Sequence, residues 1–277
     1  MTGTVSRLCF ARGCRAANGA LVLVGAALLL AGCGSSSSGS TSGRASAAAK
    51  DNGVASKSPI QIVAAAQSAL RSVSGFVVAG TLIQGGEVVR LEVVEGGTMR
   101  LQVHISERRK SAEIIALPNA AYVRANQAYL SAQAGANTAG LANRWIELPA
   151  GAAQQFTSSL GPFAPNTLAR CLGEDLGRLS RDGTTTVNGK PAVVVHEAGN
   201  VPGSSPGTLA VATKGPAYPL RVTSTGPTRG GGKIDACNTG KASDAKGSVT
   251  LSDFDHAPAI TAPKHPVKPG ASSNSSV

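Results

Sequence analysis

One serine has the neighbours that many hydrolases place around a nucleophile. Gly203, Ser205 and Gly207 match the pattern G-x-S-x-G, in which a strand, a sharp turn and a helix expose the serine hydroxyl. Here Pro206 favours a turn, and the match lies between two predicted strands. We therefore interpret it as a loop. The segment Gly189-Lys190-Pro191 lacks the Ser or Thr that follows the lysine of a phosphate loop, so we interpret it as a hairpin turn.

The histidines give little support to a catalytic or metal site. They are scattered along the sequence, at His104, His196, His256 and His265. Asp253 and Asp255 beside His256 would suit a weak cation site, but a solvated strand end is the simpler interpretation. Because no Ser/His/Asp or Cys/His arrangement emerges, we predict that the protein is not an enzyme and that it has no cofactor and no metal site.

The clearest reactive group is the thiol of Cys33. It ends the run Leu30-Ala31-Gly32-Cys33, which follows Arg7, Arg12, Arg15 and an apolar stretch. This order is typical of a secretory signal peptide, and its ending resembles the lipobox of bacterial lipoproteins. That resemblance implies a diacylglycerol thioether on Cys33, membrane attachment through acyl chains such as palmitate, and a location on the extracytoplasmic face of the cell membrane. The alternative is an uncleaved membrane helix, for which residues 16–32 are of borderline length, since a span needs about 20 apolar residues.

The other cysteines form a pair. Cys9 and Cys14 lie within the predicted signal peptide, which leaves Cys171 and Cys237. An even number of thiols in an oxidising compartment favours a disulfide. We predict that Cys171 and Cys237 are bonded.

Charge and composition divide the chain and exclude one class of partner. The formal charge is +11, from 26 basic and 15 acidic residues, but no basic stripe interleaved with aromatic residues indicates nucleic-acid binding. We predict a signal peptide at 1–32, a flexible Gly/Ser/Ala-rich tether at 33–57, one folded domain at 58–262 and a disordered Pro/Ser-rich tail at 263–277.

The periodicity of the domain predicts a helix followed by many strands. Ser58 and Pro59 suit a helix start, and apolar residues then recur at helical spacing to Val73. Strands follow to Leu148, interrupted by an Ala-rich segment at 127–140. A broken helical region at 154–179 separates them from five more strands.

The predicted fold class is α+β, with a large curled antiparallel sheet wrapped over helices on its concave face. About ten strands in one sheet tend to curl into a half-barrel. The clearest alternation in the chain is Met99, Leu101, Val103 and Ile105, which predicts one buried strand face. If the helices cover that face loosely, these four residues line an apolar cavity; if they cover it fully, the result is an ordinary core.

Several segments of the sequence resemble those of a known group of proteins. The Pro-initiated helix, the adjacent strands, the hairpin TVNGKPAVVV and the strand pair GPAYPLRV resemble the actinobacterial LppX/LprG-like lipoproteins, whose domains are similar to the half-barrel carriers LolA and LolB. The resemblance implies a membrane-anchored protein that binds or carries acylated lipids or glycolipids in an apolar cavity. The alternative function is a non-enzymatic interaction module with a filled core, which docks on an envelope protein.

Overall fold

The computed structural model describes residues 50–97, 99–134, 138, 140–159 and 161–268. Within them the chain forms four α-helices and eleven strands. The helices are α1 (Pro59–Arg71), α2 (Gln127–Ala134), α3 (Ala150–Ser159) and α4 (Pro165–Cys171). The strands are β1 (Phe76–Gln84), β2 (Glu87–Glu95), β3 (Leu101–Glu107), β4 (Lys110–Leu117), β5 (Ala120–Ala125), β6 (Ile146–Glu147), β7 (Leu179–Val187), β8 (Lys190–Ala198), β9 (Pro206–Ala212), β10 (Pro219–Ser224) and β11 (Lys246–Ser252).

All of these strands belong to one antiparallel sheet with the order β6-β5-β4-β3-β2-β1-β11-β10-β9-β8-β7. Each half is a meander of neighbouring hairpins, and the halves join where β1 pairs with β11. The sheet is curled and does not close, so β6 and β7 remain its two edges. The predicted α+β class with a large curled antiparallel sheet is confirmed.

One face of the sheet, called the inner face below, is apolar and is covered by helices. Directly paired residues share a face, and one such row crosses nine strands. It consists of Val195, Leu209, Val222, Val249, Gly80, Leu91, Ile105, Ala112 and Ala125. The fold therefore assembles a continuous apolar surface from positions that are far apart in the sequence.

Gly80 lies in this row at the junction between the two halves. A Cβ atom there would overlap the carbonyl oxygen of Ser248 and come within 2.6 Å of the Cα of Val249. Glycine inside a strand marks a sharp bend or a close approach of two backbones. The junction of β1 and β11 is therefore a place where the sheet bends tightly.

Helix α1 packs its apolar stripe on the inner face. Its N-terminus has a backbone donor satisfied by a side chain, because the Ser58 N–H donates to Gln61 Oε1 at 3.1 Å. Its buried residues recur at helical spacing, as Ile62, Val63, Ala66 and Leu70. Val63 and Ala66 pack with apolar residues of β8 and β9, while Leu70 joins a second cluster with Phe163 and residues of β1 to β4.

The folded region begins earlier than the predicted boundary at Ser58. Asp51 forms an isolated bridge with Lys214, and Asn52 Nδ2 donates to the carbonyl oxygens of Ala212 and Gly215 at 2.9 and 2.8 Å. Val54 is 1% exposed. The prediction that the tether extends to Lys57 is therefore wrong for residues 51–57, because one apolar side chain and one amide attach this segment to the sheet.

The folded region also extends past the predicted end at Ala262. Ile260, just before that end, is buried against Val94, Ile115 and Tyr122 on the face opposite the helices. The N–H of Val267 donates to the Trp145 carbonyl at 2.7 Å, and its own carbonyl accepts from Glu147. The prediction of disorder from Pro263 onward is therefore wrong up to Lys268, while 269–277 lie outside the described residues. Among the residues that the structure describes, no helix is both long and apolar enough to cross a membrane.

Candidate functional site

A half-open apolar pocket of about 180 Å³ lies between the helices and the inner face of the sheet. Its floor is the part of the apolar row formed by Val195, Leu209 and Val222. Val63 of α1 and Leu168 of α4 form part of the opposite side of the pocket, which we call its roof. The strands fix the floor through their register, and the helix stripes fix the roof.

Leucines that follow α4 complete the apolar wall. Leu172, Leu176 and Leu179 line the pocket as the chain leaves α4 and enters β7. With Leu168 they recur every three or four residues, although the helix itself ends at Cys171. This spacing is the sequence signal for the pocket, and the predicted cavity residues lie elsewhere.

The rim of the pocket is polar and includes Glu197 and Glu174. Burial raises the pKa of Glu197, although its Oε1 accepts backbone hydrogen bonds from Gly199 at 2.9 Å and Gly177 at 3.0 Å. Burial and the nearby Asp235 carboxylate also raise the pKa of Glu174. The pocket therefore has an apolar interior and a rim of hydrogen-bonding groups, which suits a ligand with an apolar tail and a polar head.

The disulfide between Cys171 and Cys237 lies in the pocket wall. The two Cα atoms are 5.1 Å apart, as the predicted pairing requires. The bond joins the end of α4 to the connection between β10 and β11, residues 225–245, which we call the β10–β11 loop. Arg170 Nη1 donates to Asp235 Oδ2 at 3.4 Å and reinforces this attachment.

Glu174, Asp235 and Cys237 place three possible metal-ligand atoms within 4.8 Å of one another. The sulfur of Cys237 is already bonded to Cys171, and a thiolate is the form that binds a metal. The Asp235 carboxylate accepts a hydrogen bond from the Cys237 N–H at 2.7 Å, which lowers its pKa. The cluster fits an ion-paired loop attachment better than a metal site.

The G-x-S-x-G segment forms part of the pocket rim. Gly203, Ser204 and Ser205 line the pocket, and strand β9 starts at Pro206. The Ser204 hydroxyl donates to the carbonyl of Val201 at 2.7 Å. Because a strand follows the serine where the hydrolase elbow needs a helix, the interpretation of this segment as a loop is confirmed.

The aspartates after β11 serve a structural contact. Asp255 Oδ1 accepts from the Ser74 N–H at 2.7 Å, and its Oδ2 accepts from the Tyr218 hydroxyl at 2.9 Å. These bonds lower the pKa of Asp255. Burial, together with the Asp255 carboxylate, raises the pKa of Tyr218 to about 12. Both Asp253 and Asp255 have positive φ, of 51° and 63°, so they lie in a turn rather than on one strand face.

The four predicted cavity residues are only partly brought together. Leu101 and Val103 are 6% and 5% exposed on the inner face, where Phe163 belongs to the same packed cluster. Ile105 is half-buried. Met99 does not share this face, because β3 begins two residues later; it has φ of 60° and is 64% exposed. The apolar pocket lies over the other half of the sheet, and none of the four residues lines it.

An open groove of about 650 Å³ lies at the other half of the sheet. Ile105 contributes to this groove, but most of the side chains that line the groove are polar, among them Glu113 and Arg124. The Arg124 Nε donates to Glu113 Oε2 at 3.0 Å, and Gln102 donates to the other oxygen of that carboxylate at 2.8 Å. Because these groups are already paired with each other, we take the apolar pocket as the candidate site.

The predicted lipidation residue, Cys33, lies outside the described residues.

Comparisons with known proteins find similar structures. No family model and no curated protein matches the sequence. Among solved structures, the lipoprotein LppX of Mycobacterium tuberculosis has a TM-score of 0.44 at 10% identity, over 73% of this chain and 98% of LppX. LprF of Mycobacterium bovis has a TM-score of 0.47 at 15% identity, over 74% and 96% of the two chains. A LolA superfamily protein of Nitrosomonas europaea has a TM-score of 0.26 at 13% identity, over 73% and 95%. LppX belongs to the group of lipoproteins that the sequence segments resemble.

Proposed function

We propose that this protein is a lipoprotein of the cell envelope that holds the acyl chain of a lipid in the apolar pocket. Cys33 carries the diacylglycerol anchor in this proposal and keeps the domain on the extracytoplasmic face of the membrane. The ligand is an acylated lipid or glycolipid with its head at the polar rim. The proposed role is binding or carrying, without chemical conversion of the lipid.

The observation that carries the proposal is the chemistry of the pocket. Its floor and roof consist of Val and Leu side chains, while carboxyl and hydroxyl groups stand at the rim. An aliphatic lining accepts a hydrocarbon chain without fixing its length, and the rim can hydrogen-bond the head group.

The size of the pocket limits which ligands it can enclose. A volume of about 180 Å³ is below the roughly 300–1,000 Å³ of sites that enclose drug-sized ligands. The pocket in this conformation therefore suits a segment of one acyl chain. A lipid with several chains requires α4 and the leucines after it to move away from the sheet.

The packing of the rest of the inner face favours a second candidate function. Phe163, Leu168 and Ala169 are at most 5% exposed and belong to one cluster with residues of β3 and β4. A face filled in this way suits an interaction module that docks on an envelope protein and binds no lipid.

A binding titration separates the two functions. Residues 50–277, produced without the anchor, are titrated with a polyene fatty acid whose fluorescence rises in an apolar site. We expect saturable binding by the unmodified sequence and about tenfold weaker binding by Val222→Trp, which fills the pocket from its floor. Val88→Trp is the matched control, because Val88 is 42% exposed and does not line the pocket. Equal binding by all three proteins, or no binding at all, would contradict the lipid proposal.

A further inference from the structure

We infer that the β10–β11 loop is a membrane-docking element, which inserts Ile234 into the surface of an anionic bilayer and holds the mouth of the pocket against it. This inference rests on the proposed function, since it describes how the pocket meets its lipid. It adds a second contact with the membrane, separate from the acyl anchor.

The loop carries one large apolar side chain, Ile234, that is unusually exposed. Ile234 is 75% exposed, the highest value among the large apolar side chains that the structure describes. A single exposed isoleucine is ordinary on a protein surface, so its setting is what matters. The Ile234 side chain lies beside Gly240 of the same loop, since a Cβ added to that glycine would come within 2.8 Å of its Cγ1.

The loop is held rigidly enough to keep Ile234 outside. Cys237 bonds it to α4. Asn238 is 5% exposed and donates to Asp175 Oδ2 at 2.7 Å and to the Gly231 carbonyl at 3.0 Å. The loop thus turns its small residues toward the pocket and its isoleucine toward solvent, although an apolar pocket lies beside it.

The charges around Ile234 complement an anionic surface. Arg229, Lys233 and Lys241 are all exposed on the loop. Arg229 Nε donates to the Gly199 carbonyl at 2.6 Å, and Lys233 Nζ lies 3.9 Å from Asp235 Oδ2, so Lys233 and Lys241 are the cations beside Ile234. The acidic residues of the loop are Asp235, which pairs more closely with Arg170 of α4 than with Lys233 (3.4 against 3.9 Å), and the exposed Asp244. Basic side chains beside an exposed apolar one are typical of surfaces that lie in the membrane interface, where the cations reach the head groups and the apolar group enters the acyl boundary.

The position of the loop links docking to the pocket. Ala236 and Cys237 line the pocket, only two and three residues after Ile234. The proposed anchor at Cys33 is seventeen residues before Lys50, a length that spans at most about 60 Å. Such a short connection keeps the loop at a high effective concentration near the bilayer, so a contact that is weak on its own becomes populated.

The experiment uses the full acylated chain in vesicles that contain phosphatidylglycerol and phosphatidylcholine with brominated acyl chains, which quench tryptophan on contact. Trp145→Phe removes the native tryptophan. Ile234→Trp is then compared with Val88→Trp and Met99→Trp, which place the probe at two other exposed apolar positions. We expect the probe at 234 to lose about half of its emission and the two controls to lose little. Raising the salt concentration should reduce the quenching, because it screens the attraction to the head groups.

Three results would overturn the inference. They are no quenching at position 234, equal quenching at all three positions, and a blue-shifted but unquenched probe at 234, which would indicate that protein covers it. The lipid content of the same samples, measured by mass spectrometry, reports the proposed function separately. A protein that binds lipid but is not quenched at 234 refutes only the docking loop, whereas a quenched protein without lipid refutes only the pocket.

Discussion

At the scale of single residues, Gly80 lets the two halves of the sheet meet. Any side chain there would overlap the Ser248 carbonyl across the β1–β11 pair. We expect Gly80→Ala to lower the free energy of unfolding by about 1–3 kcal/mol, as overpacking does. Gly151→Ala in α3 is the control, since nothing lies within 4 Å of the added atom and alanine is a better helix former than glycine, so no loss of stability is expected. Urea titrations measure both, and a harmless Gly80→Ala would show that β1 and β11 are not this close.

The buried carboxyl group of Glu95 leads to a prediction about how the stability of the fold depends on pH. Its side chain is 3% exposed, and its Oε2 has no hydrogen-bond partner among the described residues. Burial raises its pKa above the ordinary 4.5, although the Gly97 N–H opposes this by donating to Oε1 at 3.1 Å. The folded state therefore retains a proton that the unfolded chain releases, so this group lowers stability as pH rises above 4.5. Glu95→Gln should be more stable than the wild type at neutral pH, and the difference should vanish below about pH 4.

The pKa of Asp255 is shifted in the opposite direction, so its contribution to stability has the opposite pH dependence. Hydrogen bonds from Ser74 and Tyr218 lower its pKa below the ordinary 3.8, so its ionised form stabilises the fold above that pH and the contribution is lost as pH falls. Asp255→Asn should therefore be less stable at neutral pH, with a difference that shrinks in acid. Thermal melts of both variants between pH 3 and 8 check the pair. Parallel pH profiles for Glu95→Gln and the wild type would contradict the burial of a carboxyl group.

At the scale of elements, the disulfide joins α4 to the β10–β11 loop across 66 residues of sequence. Closing a loop of this length should stabilise the fold by about 4 kcal/mol on the chain-entropy model. We expect Cys171→Ser with Cys237→Ser to lose stability of that order and to loosen the pocket wall. Peptide mapping of unreduced protein should find the two cysteines in one linked pair, and alkylation of either thiol without reduction would refute the bond.

The elements also show where the sequence was a sufficient guide. Alternating apolar residues predicted β3 and its neighbours, and Asn188-Gly189 predicted a turn that has positive φ at both residues. The ends of the fold were placed wrongly, because Val54 and Val267 are isolated apolar residues among small, polar and proline residues and have no periodicity to mark them. Their attachment depends on a sheet built by distant strands.

At the scale of the whole molecule, the position of the pocket depends on strand order. Val103 and Val222 are both apolar strand residues, and the local pattern favoured Val103. The order of the sheet places Val103 within the packed cluster that includes Phe163, whereas Val222 lies at the edge of that cluster and also lines the pocket beside α4. Local periodicity identifies a buried face but cannot show which part of that face the helices leave open.

In the proposed function, the pocket beside α4 holds a lipid chain. Native mass spectrometry of the domain, purified without its anchor from an actinobacterial host, tests this most directly, with Val222→Trp and Val103→Trp measured alongside. We expect the unmodified domain to carry a lipid. Val222→Trp should be folded and empty, and Val103→Trp should keep its lipid but lose about 1–3 kcal/mol of stability through overpacking. A wild-type domain that contains no lipid, and that co-purifies instead with an envelope protein, would contradict the claim and favour the interaction module.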